Sequence, residues 1–221
     1  MARKRLLVVV PALAIIAWMS VQVIGLASAG SVMHDASKAM DLWSGAKPPT
    51  PETLAKLRED LQRVTYASDA DVEELLGLAY LRAGSPEYLD EARVHLLNAL
   101  RLRPGSPYTW ANLVTVDYRQ GRTDKAFENA LVRAQELGPY ERDVQRAEAF
   151  FGLAVWDEIG PKAQAAVERS VAAGMKRNPL EMLQIAQRRG RLAVACRHFA
   201  GTPRLPDPKW SRICQSTEVT S

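Results

Sequence analysis

Between residues 70 and 139 one pattern is written twice. The first copy reads Leu76, Gly77, Tyr80, Gly84, Ala92, Leu96, Ala99, Pro104, and the second reads Trp110, Leu113, Gly121, Ala126, Ala130, Ala134, Pro139. The closing Ala and Pro both recur after 35 residues, as the numbering from 99 to 134 and from 104 to 139 shows. A period of that size predicts an all-α stack of antiparallel helix pairs, each unit burying its apolar face only against its neighbours. Stacks of this kind offer an extended surface, so the pattern points to binding before catalysis.

The amino terminus carries a second constraint. From Leu6 to Met33 no residue is charged, and Ser20 and Gln22 are the only clearly polar side chains between Leu6 and Leu26. At about 1.5 Å per residue such a helix crosses a hydrocarbon core roughly 30 Å thick. Arg3, Lys4 and Arg5 precede it with no comparable basic cluster close behind, so the positive-inside rule leaves the amino terminus cytoplasmic and exports the rest. A cleaved signal peptide is the rival reading, because Ala27-Ser28-Ala29 has the form of a cleavage site. The run exceeds the roughly 7 to 15 residues of a signal h-region, which favours an uncleaved anchor. No cysteine stands near it to accept a lipid.

Cys196 and Cys214 are the chain's two cysteines. In an oxidising compartment the simplest expectation is a disulfide pinning the final segment, worth about 3 kcal/mol by loop entropy. Two unrelated thiols are the alternative. A redox pair would sit closer together, and a zinc site needs more ligands than these thiols and His198 supply.

These signals divide the chain into an anchor or signal segment at 1–30, a linker at 31–50, a helical repeat domain at 51–200 and an extended, proline-containing tail at 201–221. Residues 31–42 read as a helical continuation of the anchor, ended by Gly45-Ala46-Lys47-Pro48-Pro49. Thr50 is expected to cap a helix with Pro51 in its first turn and Leu54, Leu57, Leu61 and Val64 along one stripe. The first pair is expected from Ser68 or Asp69 to Gly84 and from Leu89 to Leu102. Its turn, Ser85-Pro86-Glu87-Tyr88, reads as about three residues longer than that of the second pair. The second pair is expected at Pro107–Gln120 and Thr123–Leu137 with Thr123 as N-cap. A weaker third pair follows Glu141, with Phe151-Gly152 in place of Leu76-Gly77, a turn at Gly160-Pro161, and Ala165, Ala166 and Val171 on the returning helix before Asn178-Pro179. Short helices at Leu180–Arg189 and Leu192–Phe199 close the far end. Pro203, Pro206 and Pro208 forbid a helix, so the tail is expected to lie extended, held by Trp210 and Ile213.

The spacing of Leu-Gly, Tyr, Gly, Ala, Ala and Pro in the first copy, and of Trp, Leu, Gly, Ala and Pro in the second, resembles the tetratricopeptide repeat. That resemblance implies a superhelical stack whose groove is lined by the first helix of each pair. Carried over by alignment, the groove candidates are Leu78, Leu81 and Arg82; Tyr108, Asn112, Thr115, Tyr118 and Arg119; and Arg146, Leu153 and Trp156. Arg, Tyr and Asn side chains there would hold an extended peptide or an acidic ligand. The plainer reading makes Tyr118 and Trp156 packing residues and leaves Arg119 and Arg146 solvated.

Charge is uneven. Nine Lys or Arg lie between Lys176 and Arg212 against Glu181 and Asp207, whereas Glu52 to Glu74 holds seven acids against three bases. The basic end suits anionic headgroups or an acidic polysaccharide, or is simply a solvated surface. Export removes nucleic acid as a partner.

No catalytic constellation is legible: His34, His95 and His198 are scattered, and there is no phosphate loop, nucleophile elbow or zinc signature. The chain is therefore not expected to be an enzyme, nor to hold a cofactor or metal. A polysaccharide-modifying enzyme would need paired carboxylates in a cleft. The segments from Ala99 to Leu113, from Glu136 to Glu141 and from Gly152 to Glu158 are similar to small repeat proteins that accompany exopolysaccharide biosynthesis machinery. The implied role is an adaptor for protein partners in an envelope-assembly complex, held in a bacterial inner membrane with its domain in the periplasm. A chaperone-like subunit for cytochrome maturation, secretion or pilus assembly is the alternative.

Overall fold

The computed structural model describes residues 2–42, 48–63, 69–199 and 209–218. Among these residues the regular structure is helical, with no strand. Helix α1 (Ala2–Leu42) is followed by α2 (Pro51–Gln62), α3 (Asp69–Ala83), α4 (Pro86–Leu102), α5 (Pro107–Arg119), α6 (Lys125–Leu137), α7 (Arg142–Gly152), α8 (Pro161–Arg177), α9 (Pro179–Arg188), α10 (Leu192–Cys196) and α11 (Lys209–Glu218).

Helix starts follow from capping chemistry. Thr50, Ser85 and Ser106 each accept a backbone N–H from the first turn, and each is followed by a proline whose missing N–H costs nothing there. This pattern corrects the expected first turn. Ser85-Pro86 does not lengthen the loop; it starts α4 one turn early, and only Gly84 and Ser85 connect the helices. Gly84 makes that reversal possible with φ +73°, a left-handed conformation that side chains strain against. In the second pair Asp124, not Thr123, is the cap, because its carboxylate reaches the N–H groups of Ala126 and Phe127.

Three antiparallel pairs result: α3 with α4, α5 with α6, and α7 with α8. Glycine sets how closely two of them approach. A Cβ at Gly77 would lie 2.8 Å from Leu96 Cγ, and one at Gly152 would collide with Val167, so the weaker third copy repeats the first copy's contact. Val114 replaces glycine in the second pair and is fully buried.

Successive pairs are bonded at the repeat period. Thr109 Oγ1 donates to Glu74 and Arg119 Nη2 to the Gly84 carbonyl, each across 35 residues. Arg169 Nε donates to Gln135 Oε1 across 34 residues.

The core has two main clusters. One joins Ala36 of α1, Leu54, Leu57 and Leu61 of α2, and the apolar faces of α3 and α4; Val64 lies outside the described residues. The other runs from Leu100 through α11 and includes Phe127, Leu131, Leu153, Met175 and Leu183. Helices α9 and α10 lie at that end, α10 stopping at Cys196 short of the expected Phe199, and α11 packs on α10.

The termini refine the domain boundaries. Residues 31–42 belong to the continuous helix α1, and Val32, Met33 and Ala36 pack on the first cluster, so this half of the expected linker is part of the fold. Residues 43–47 lie outside the description. Within α1, Ile15–Lys38 is long and apolar enough to cross a membrane.

The tail is not extended throughout. Residues 200–208 are outside the description, but Lys209–Glu218 is helix α11 and buries Trp210. Lys209 directly follows Pro208, a position from which a helix is free to begin. Cys196 and Cys214 form a disulfide between α10 and α11, with Cα atoms 5.1 Å apart. A buried disulfide suits an oxidising compartment.

Candidate protein-binding face

The first helices of the pairs form one layer, α3 against α5, α5 against α7, and α7 against α9. Four of the expected groove residues, Tyr108, Asn112, Thr115 and Arg119, fall at successive spacings of four, three and four along α5, which places them on one stripe.

Each has a definite local role. Tyr108 is 43% exposed, and its hydroxyl donates to Glu141 at the start of the next pair. That bond, with the charge beside it, holds the phenol above its ordinary pKa. Asn112 is half-buried one turn on. Thr115 Oγ1 donates to the Ala111 carbonyl at 3.0 Å.

Arg119 is committed to structure. Its guanidinium donates to the Leu81 carbonyl at 2.8 Å and the Gly84 carbonyl at 3.1 Å, satisfying acceptors that the end of α3 leaves unpaired. This brings α5 beside Arg82, which is exposed in the last turn of α3.

The other candidates disperse. Tyr118 packs into the core with its ring 5.0 Å from that of Phe151, and the Arg189 guanidinium stacks 3.7 Å over Phe150. Leu81 and Leu153 are buried. Arg146 is exposed on α7 and pairs with Glu181 of α9 at 3.5 Å. Trp156 lies beyond α7, half-buried in the turns before α8, where its carbonyl accepts from Gln164.

Histidine and buried acids serve the pairs. His95 Nδ1 lies 2.7 Å from Glu73 while its ring stacks on Tyr80, fastening α4 to α3. Asp117 is buried, which raises its pKa, while Arg93 at 2.7 Å opposes the rise. Glu148 is buried against Ser170, and burial lifts its carboxyl well above the ordinary range. Among the described residues no group of three or more His, Cys, Asp or Glu is placed to hold a metal ion.

No family model, curated protein or solved structure matches the chain. The α5 stripe presents an aromatic ring, an amide and a hydroxyl in an ordered row, with the Arg119 guanidinium at its end bonded to the α3 carbonyls.

A second feature escaped the sequence reading. Helices α6, α7 and α8 enclose a cleft of about 500 Å³ that carries three cations, Arg169, Lys176 and Arg177. The signal was present in their spacing of seven and eight residues on α8, which sets them on one face.

Proposed function

We propose that the protein is a membrane-anchored adaptor that binds a partner protein through the α5 stripe and the layer around it. The observation that carries this reading is the repeated helix pair with hydrogen bonds recurring at 34 and 35 residues, which builds a rigid, extendable surface. The exposed apolar stretch of α1 supplies an anchor, and the disulfide suits a domain on the exported side. The setting that best accounts for both is cell-envelope assembly, with exopolysaccharide production as the pathway suggested by sequence resemblance. An adaptor of this kind contributes no chemistry of its own; it raises the local concentration of a partner at the membrane.

Site-specific photocrosslinking in intact bacterial membranes tests the reading. A photoreactive residue replacing Asn112 is expected to trap an envelope-assembly protein, and the same residue replacing exposed Leu102 on α4 is not. Equal adducts from both positions, or none from Asn112, would overturn it.

A further inference from the structure

The cleft between α6, α7 and α8 has a composition that the adaptor reading leaves unused. Arg169, Lys176 and Arg177 project from α8, Gln135 and Gln145 are buried at its wall, and Tyr140 stands 73% exposed at its rim. None of the cleft's lining residues is an acid. Arg169 is held by Gln135 Oε1 at 2.9 Å and Arg177 by the Tyr140 carbonyl at 2.7 Å, so both guanidiniums are fixed by neutral groups and keep their charge uncompensated by a bonded carboxylate. The Glu148 carboxyl, which feels the Arg169 charge, is buried, and burial favours its neutral form.

The two glutamines add a matched donor and acceptor. Gln145 Nε2 donates to the Pro139 carbonyl and Gln135 Oε1 accepts from Arg169. Beyond those bonds the Gln145 carboxamide oxygen and the Gln135 carboxamide N–H groups have no hydrogen-bond partner among the described residues. An acceptor and a donor lining one cleft are what a peptide backbone requires. Spacing agrees: residues seven and eight apart on a helix rise roughly 10 to 12 Å, close to the roughly 13 Å between carboxylates four residues apart on one face of an extended chain at about 3.3 Å per residue. Ala172 and Ala173 line the cleft with small side chains, so a chain can approach closely.

We propose that this cleft holds an extended acidic segment of a partner protein, its carboxylates against Arg169, Lys176 and Arg177 and its backbone between Gln135 and Gln145. The proposal rests on the adaptor reading and adds to it the charge of the partner and the place where it is gripped.

Fluorescence anisotropy on the full chain in detergent micelles tests it, with a labelled Gly-Ser peptide carrying Glu at every second position, which puts the carboxylates on one face, as probe. Lys176 is exposed and its substitution breaks no bond in the fold, so Lys176→Glu keeps the structure while reversing one charge. Affinity is expected to fall about tenfold or more in that variant, and to fall comparably when the probe's Glu residues become Gln. Lys162→Glu, at the other end of α8, is expected to leave affinity unchanged. Unchanged affinity in Lys176→Glu, an equal loss in Lys162→Glu, or binding of an oligogalacturonate in place of the peptide would overturn the proposal. Photocrosslinking separates its failure from that of the adaptor reading. Adducts from a photoreactive residue at Tyr140 that weaken in Lys176→Glu support the cleft. Adducts at Asn112 with none at Tyr140 sink the cleft alone, and none at either position sinks both.

Discussion

Glu148 offers a test in which burial and pH oppose each other. Its side chain is fully enclosed on α7; Ser170 Oγ donates to one carboxyl oxygen, and the other has no partner among the described residues. Burial raises its pKa well above the ordinary 4.5, against smaller opposing effects from the Ser170 bond, the Arg169 charge and the Gln135 backbone. The folded chain therefore keeps a proton that the unfolded chain releases. Below about pH 4.5 both states hold it and nothing is lost. Above that value, and up to the folded pKa, stability falls by about 1.4 kcal/mol for each pH unit from this group alone. Glu148→Gln keeps the shape and a partner for Ser170 but cannot ionise. Its stability should match the parent's within about 1 kcal/mol at pH 4 and exceed it increasingly as pH rises above the ordinary carboxyl value. In melting temperature the gap should open by roughly 3 °C or more per pH unit for a chain of this size. Urea and thermal unfolding followed by circular dichroism, with both proteins in the same detergent between pH 4 and pH 8, measure the difference and cancel the other titrating groups. A gap that does not change with pH, or a less stable Gln variant at pH 7, would mean that Glu148 is ionised in the fold and held by Arg169.

Three further outcomes follow from the packing. Cys214→Ser should cost about 3 kcal/mol, the entropy of a loop closed across 18 residues, and should speed amide exchange in α11; an unchanged melting curve refutes this. Gly77→Ala should destabilise by roughly 1 to 3 kcal/mol despite alanine's better helix propensity, because Leu96 is fully buried 2.8 Å from the new Cβ; Gly105→Ala, with open space around it, should not, and denaturant midpoints compare the two. Arg119→Ala should cost about 1 to 3 kcal/mol and raise amide exchange in the last turn of α3, where two carbonyls lose their donor; exchange confined to α5 would contradict that role.

How much of this was legible depended on the range of the cause. The helix pairs were readable because Gly77, Ala92 and Pro104 act through local backbone and close-packing demands. Ser85-Pro86 was misread as loop, although it repeats the cap-and-proline cue of Thr50-Pro51. Arg119 looked like a groove residue because nothing in its neighbourhood announces acceptors 35 residues upstream. Glu148 is flanked in sequence by Ala147 and Ala149, which announce nothing about its depth, and only the packing of α7 against α6 and α8 buries it. The α8 cleft needed residues from 135 to 177 to come together, a juxtaposition that no local pattern encodes.

Helix α1 has one more consequence. It runs unbroken from Ala2 to Leu42, and Val32 and Met33 are already packed on the domain while Ile24, two turns earlier, is exposed. For a chain inserted through that helix, the domain is welded to its membrane segment rather than tethered by a swivel. Tilting the helix by a given angle then swings the whole stack by the same angle, so bilayer thickness becomes a setting for where the α5 stripe is aimed. A flexible Gly-Ser insertion after Gly30 would uncouple the two, leaving anchoring intact while erasing the orientation at which a partner is met.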